Sequence, residues 1–206
     1  MKNIPKGKIA LIFIILILLA DQALKIWVKT HMVLGQEIYL FGKFGMLHFV
    51  ENNGMAFGME IGGKTGKIFL SIFRIAAIIC IAWYLSTLIR KKAHTGLIIA
   101  ISAILAGAIG NFIDSAFYGL IFSESTYDKL AVLFPPEGGY SSFLQGRVVD
   151  MFYFPLINTT WPDWSPIKPG ESFIFFRPVF NISDAAITCG VFSIIIFQKK
   201  MFKNLK

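Results

Sequence analysis

Four long apolar runs divide the chain: Ile9 to Val28, Ile68 to Ile89, Thr95 to Tyr118, and Pro178 to Phe197. Each is long enough to cross a hydrocarbon core about 30 Å thick as a helix. Lys2, Lys6 and Lys8 precede the first run as they would in a secretory signal. No A-x-A site follows, and helix-compatible sequence continues through Trp27, so this run is expected to be a retained helix. Two long segments of different texture separate the runs. Residues 29–67 hold the β-prone stretches Glu37-Ile-Tyr-Leu-Phe and Met46-Leu-His-Phe-Val, punctuated by Gly42, Gly45 and Gly54, which predicts a small sheet lying on the membrane. Residues 119–177 carry Pro135-Pro136, Gly138-Gly139 and Trp161-Pro-Asp-Trp-Ser-Pro, a composition suited to an interfacial loop and too long for a mere connector.

Composition makes lipid the expected solvent. Apolar residues fill 55% of the 206 positions and charged residues 16%, against roughly 25% charged in a soluble domain. A soluble fold of this length cannot shelter four such runs. The net charge of +8 is distributed one-sidedly. Lys2, Lys6 and Lys8 lie before the first run, Arg90, Lys91 and Lys92 between the second and third, and Lys199, Lys200, Lys203 and Lys206 after the fourth. No acidic residue stands among these ten cations. Short basic segments stay on the cytoplasmic side. Both termini and Lys91 are therefore expected in the cytoplasm, with residues 29–67 and 119–177 outside it. The basic excess is a topology signal, and no nucleic-acid partner is expected from it. Cys80 and Cys189 fall inside apolar runs without a CxxC pattern, which predicts neither a disulfide framework nor a zinc site.

Charged groups inside such runs cost several kcal/mol on insertion scales, so each needs a reason. Asp21 lies about 18 Å along the first helix from Ile9, in its outer half, with Lys25 at i+4. The pair either lowers its own insertion cost or braces a ligand site. Asn111 and Asp114 share one helical face near the outer end of the third run, and Arg74 in the second run is a further outer charge. Pro178 suits a helix start, which would set Asp184 roughly 9 Å below the outer end of the fourth helix. Asp150 closes Gly146-Arg-Val-Val-Asp and precedes the apolar Met151-Phe-Tyr-Phe-Pro, so it is expected to dip toward the same depth.

Two carboxylates brought together in low dielectric cannot both ionise easily and would share one proton. The ionised member can take a proton from water while the protonated member donates to a carbonyl oxygen, which is what metal-free peptide hydrolysis requires. Transport and helix packing remain open readings for the same acids. Neither G-x-S-x-G nor H-E-x-x-H occurs, and His31, His48 and His94 are scattered. No cofactor or metal is expected.

Five short motifs, in order and at matching depth, carry a resemblance that runs nearly end to end. They are Asp21-Gln-Ala-Leu-Lys25, Asn52-Asn-Gly-Met-Ala-Phe-Gly58, Gly110-Asn-Phe-Ile-Asp114, Gly146-Arg-Val-Val-Asp150 and Phe180-Asn-Ile-Ser-Asp184. With them the chain resembles bacterial lipoprotein signal peptidase, the signal peptidase II family of intramembrane aspartic proteases. The resemblance implies one polytopic domain over residues 1–206. Its fold would be a membrane all-α bundle of four transmembrane helices with a small extracytoplasmic β-rich cradle and a long interfacial loop. It implies Asp150 and Asp184 as the catalytic pair, and Asn52, Asn111 and Asn181 as polar residues that line and support the site. Asp21, Lys25, Gly54 and Asp114 belong to the motifs around the substrate cavity. The implied substrate is a diacylglyceryl-prolipoprotein in the bacterial inner membrane, cleaved just before its lipidated cysteine near the extracytoplasmic face. Membrane lipids and a cyclic-peptide inhibitor of the globomycin type are the further implied partners.

Two departures from the family pattern stand out. The family's G-N-x-x-D is usually followed by Arg, where this chain has Ser115, and extensions occupy residues 115–145 and 157–176. Arg147, three residues before Asp150, is the first choice for a replacement cation; Arg74 is the second. The rival functions are a proton- or cation-coupled carrier using Asp21, Asp114 and Asp184, and a noncatalytic assembly protein whose acids hold helices together. Four spans without internal repeats make a poor carrier.

Overall fold

A computed structural model describes residues 4–53, 63–166 and 168–203. Four of its helices are long and apolar enough to cross a membrane: Lys6–His31, Thr65–Arg90, Thr95–Ile121 and Ile182–Met201. The helices themselves are α1 (Lys6–His31), α2 (Gly63–Arg90), α3 (Thr95–Ile113) and α5 (Ile182–Met201). A π-helical turn (Asp114–Tyr118) and the short α4 (Gly119–Ile121) extend α3. The third span is the hub, with 56% of its most apolar window buried against 11–17% in the other three. Apolar side chains on the other three face outward, as lipid-solvated helices should.

Glycines set how closely α3 and α5 approach. A Cβ on Gly107 would collide with the carbonyl oxygen of Ser183, one on Gly110 with Ser183 Oγ, and one on Gly190 with the carbonyl oxygen of Ala100. Small residues at such a crossing let backbones pack directly, the usual basis of helix association in lipid. At one end of the bundle Lys6 Nζ donates to the carbonyls of Lys92 (2.9 Å) and Ala93 (2.5 Å). Met201 packs there with Ala10, Ala93 and Leu97. The basic segments at the start of α1, in the α2–α3 turn and at the end of α5 thus converge at this end.

The opposite end carries a four-stranded antiparallel sheet in the order β1-β2-β3-β6, with β1 at Glu37–Tyr39, β2 at Met46–Asn52, β3 at Val148–Tyr153 and β6 at Val179–Phe180. The stretches expected to form a sheet supply β1 and β2. The sheet is completed by the Asp150 segment, which lies between β2 and β6. Val149 and Met151 point into a core with Val28, Phe49, Tyr118 and Phe122. Strand alternation sends Val148 and Asp150 to the other face.

Each extension leaves and re-enters the frame between neighbouring residues of its own. Residues 115–145 run through α4 and a folded loop, and Gly146 N then donates to the Ser115 carbonyl at 2.9 Å. A Cβ at Gly146 would strike the Asp114 carbonyl oxygen, so this return requires glycine. The second extension is an antiparallel hairpin of β4 (Ile157–Thr160) and β5 (Ser172–Phe175), where a loop was expected. Leu156 N donates to the Phe175 carbonyl at 3.2 Å across its base.

The fourth helix corrects an expectation. It starts at Ile182, and Pro178 lies before β6. Asn181 ends the strand and caps the helix: its Oδ1 accepts from Asp184 N at 2.9 Å, while Asp184 Oδ2 accepts from Asn181 N at 3.3 Å. This reciprocal box satisfies two donors that a helix start would otherwise orphan. Asp184 therefore sits in the first turn of α5, not about 9 Å along it. The proline favoured an earlier start, but the cap chemistry of Asn181 and Asp184 governs.

Candidate active site

Asp150 and Asp184 are tied together by one residue. Asn181 Nδ2 donates to Asp150 Oδ1 at 2.7 Å, and the Asn181 backbone N donates to Asp184 Oδ2. Asn181 is fully buried and its amide also reaches Asn111 Oδ1 (3.0 Å) and the Val149 carbonyl (3.2 Å). Asn111, on α3, donates from Nδ2 to Asp184 Oδ1 at 2.8 Å. Asn52, on the same sheet face as Asp150, donates to Asp150 Oδ2. The three asparagines thus meet at the two carboxylates from β2, α3 and the start of α5. Gly54 lies outside the described residues.

Behind this layer sits a buried ionic core. Lys25 Nζ lies 2.9 Å from Asp21 Oδ2 and 2.8 Å from Asp114 Oδ2, with all three side chains fully buried. It also donates to Asn111 Oδ1 at 2.9 Å. The Asp21–Lys25 pair is therefore one edge of a three-body cluster, and Asp114 bridges it to the sheet. Asp114 Oδ2 accepts from Val149 N (3.2 Å), immediately before Asp150, and Asp21 Oδ1 accepts from Ser183 N (2.9 Å), immediately before Asp184. One cluster thus holds the backbone on the N-terminal side of both acids. Gln22 joins it, donating to Asp114 Oδ1 at 3.0 Å and accepting from Tyr118 Oη at 3.1 Å. Gln22 escaped the sequence reading, although its place between Asp21 and Lys25 on an apolar helix was a signal.

The two candidate replacement cations lie in different surroundings. Arg74 Nη1 donates to Ser115 Oγ at 2.6 Å, and Asp114, Asp184 and Asp150 are its charged neighbours. Arg147 points elsewhere. Its guanidinium pairs with Glu51 (3.4 Å) and Glu124 (3.0 Å) and lies over the Tyr140 ring. Glu51 also pairs with the buried Lys29 and accepts from Ser125 Oγ at 2.9 Å, a network that clamps the 115–145 extension onto α1 and β2. Arg147 is bound there because two carboxylates and an aromatic face outcompete a single hydroxyl. Arg74→Ala is expected to lower kcat/KM of any reaction at these carboxylates about tenfold or more, with Arg74→Lys intermediate. Arg147→Ala should instead leave turnover near wild type and make residues 124–147 easier to cut by limited proteolysis.

The Asp150 carboxyl is pushed up to about 8, chiefly by burial and then by the neighbouring Asp184. Its protonated form is therefore favoured relative to an ordinary carboxyl. The sign of the linkage follows: the folded state binds this proton more tightly than the unfolded chain. Its contribution favours folding at low pH and fades as pH climbs from the ordinary carboxylate range to about 8. For a reaction that uses the proton, kcat/KM should fall along an alkaline limb near pH 8. A pH–rate profile that stays flat to pH 10 would remove that role. Among the described residues no group of three or more His, Cys, Asp or Glu could hold a metal ion.

Comparison with known proteins bears on the whole chain. A family profile described as signal peptidase (SPase) II matches residues 13–200. A lipoprotein signal peptidase of Porphyromonas gingivalis is 49% identical over 197 residues, covering 95% of this chain and 85% of the relative. One from Amoebophilus asiaticus is 37% identical over 90% of this chain and 75% of its own length. In fold, the chain is similar to a solved bacterial membrane enzyme with a TM-score of 0.58 at 24% identity, covering 97% of this chain and 92% of that one.

Proposed function

The chain belongs to the signal peptidase II family, a family of proteases, and from that premise we propose that it is an intramembrane aspartic endopeptidase with Asp150 and Asp184 as its catalytic pair. The observation that carries the reading is the Asn181 bridge, which addresses both carboxylates from one side chain and its own backbone. The pair shares one proton. A water between them gives a proton to the ionised member as its oxygen attacks the scissile carbonyl carbon, while the protonated member donates to the carbonyl oxygen. Collapse of the tetrahedral intermediate breaks the C–N bond, and the leaving nitrogen takes a proton from the pair. The asparagines keep the two carboxylates oriented through this exchange, and Arg74 answers the negative charge that three acids would otherwise concentrate.

The substrate is a diacylglyceryl-modified prolipoprotein, cut just before its lipidated cysteine. A signal peptide in helical form has its backbone groups paired and resists hydrolysis, so the scissile stretch must be extended. The first turn of α5 sits where a span meets the sheet, the level at which an extended segment is tolerated. Acyl chains on the cysteine fix the bond at that depth, each buried CH₂ contributing about 0.8 kcal/mol. The protein lies in the bacterial inner membrane with Lys6, Lys92 and Lys199 on the cytoplasmic side and the carboxylates near the opposite face. Asp21, Lys25 and Asp114 position this site, with Asn52, Asn111 and Asn181 supporting it.

The test is direct. Purified protein in lipid, given a diacylglyceryl-modified prolipoprotein, should convert it to a free signal peptide and a product beginning at the modified cysteine, seen as a mass shift. The same precursor without lipid should remain intact. Equal conversion of both would overturn the lipid requirement, and conversion of neither would overturn the reading.

A further inference from the structure

Among the described residues the β4–β5 hairpin makes no extensive contact with any other strand or helix. Its register places Ile157 opposite Phe175 and Thr159 opposite Phe173. Alternation then puts these four on one face with Trp161, whose ring meets Phe173 edge-on at 4.9 Å. The other face carries Asn158, Thr160 and Ser172 around a single Ile174. The hairpin is therefore amphipathic, yet among the described residues nothing covers its apolar side: Ile157 is 52% exposed, Phe175 51%, and Trp164 in the connecting turn 83%.

We infer that this hairpin lies with its apolar face in the headgroup–acyl boundary of the leaflet beside the carboxylate site, as a shallow anchor. Continuity argues for that occupant. The chain passes from Phe175 to the first turn of a membrane-crossing helix at Ile182 through six intervening residues, so the hairpin is tethered where lipid begins. Two tryptophans near its turn suit the interface, where an indole ring meets both apolar and polar surroundings. Charge gives the mode of attachment. Asp163 and Glu171 balance Lys168 and Arg177, and Lys168 pairs with Glu171 at 3.0 Å. The anchor is apolar, and acidic lipid is not required. The inference extends beyond the peptidase reading and does not depend on which groups perform the chemistry.

Depth-dependent quenching tests it. Trp27→Phe, Trp83→Phe and Trp161→Phe together leave Trp164 as the reporter, in the full-length protein reconstituted into vesicles of zwitterionic lipid. Bromines near the glycerol end of the acyl chains should remove about half of its emission, consistent with insertion roughly 5–10 Å into the boundary. Bromines near the chain ends should quench less, and 0.5 M salt should change neither result. Adding Phe173→Asn and Phe175→Asn should at least halve the shallow quenching. Emission unaffected by any brominated lipid but accessible to aqueous iodide would overturn the inference. So would emission that depends only on protein density, which would mean a second copy covers this face. Neither readout requires cleavage, so failure here is distinguishable from failure of the proposed function.

Discussion

Asp150→Asn and Asp184→Asn are each expected to lower turnover by about 10²- to 10⁴-fold, the usual range for losing a general acid or base, while both proteins still fold and insert. An amide retains an acceptor oxygen but cannot pass a proton. At position 184 that one oxygen can keep the bond from the Asn181 backbone N while the amide nitrogen takes the place of the oxygen that met Asn111 Nδ2, so one of the two bonds at the start of α5 should survive. At position 150 a neutral side chain also removes the cost of burying a charge. The stability of Asp150→Asn should consequently lose the decline toward pH 8 that the raised carboxyl imposes on the parent. Turnover of a lipidated prolipoprotein, measured beside thermal unfolding in detergent, checks both halves. Wild-type turnover by either folded variant would sink the catalytic assignment.

Lys25→Met should damage both stability and activity more than any single substitution on the lipid-facing surface. It leaves Asp21 and Asp114 fully buried without the cation that lies within 2.9 Å of each. Stranding buried charge in this way costs about 3–5 kcal/mol. The activity loss has a separate route, because Asp114 and Asp21 hold Val149 N and Ser183 N, the backbone donors just before the two candidate catalytic acids. Combining Lys25→Met with Asp114→Asn should recover part of the lost stability, since one uncompensated charge disappears. It should not recover turnover, because Asn111 still lacks the ammonium partner of its Oδ1. Thermal unfolding and kinetics of the single and double variants separate these effects; parallel recovery of both would argue against the positioning role.

The four helices were legible because lipid rewards unbroken apolar runs, a signal that needs no partner to be recognised. Asp21, Lys25, Asn111, Asp114 and Asp184 stood out for the converse reason, since polar groups are costly there, and Asp150 because the apolar Met151-Phe-Tyr-Phe-Pro follows it. What they touch was not legible. The i+4 spacing exposes the Asp21–Lys25 pair, but the Asp114 contact joins residues 89 positions apart and depends on how α1 packs on α3. Pro178 misled because a helix-start preference is local, whereas the strand β6 that precedes the helix is fixed by pairing with β3. The choice of Arg147 over Arg74 rested on proximity in sequence to Asp150. Glu51 and Glu124, at distant positions, claim that guanidinium. Lys29 went unnoticed because a lysine near the end of a span reads as a snorkelling side chain, yet this one is fully buried against Glu51.

The coincident ends of the two extensions have a historical consequence. A segment that departs and returns between hydrogen-bonded neighbours, as Ser115 with Gly146 and Leu156 with Phe175 do, can be gained or lost without moving the framework on either side. The length of such a protein can drift over a lineage while its motifs keep their spatial register. The two extensions are tied in differently. The first is part of the interior, lending Phe122, Ala131 and Tyr140 to a cluster shared with α1 and the sheet, so its removal would leave a hole. The hairpin has lent nothing to that interior and stays a detachable appendage, the natural place for a tag, a label or a transplanted loop.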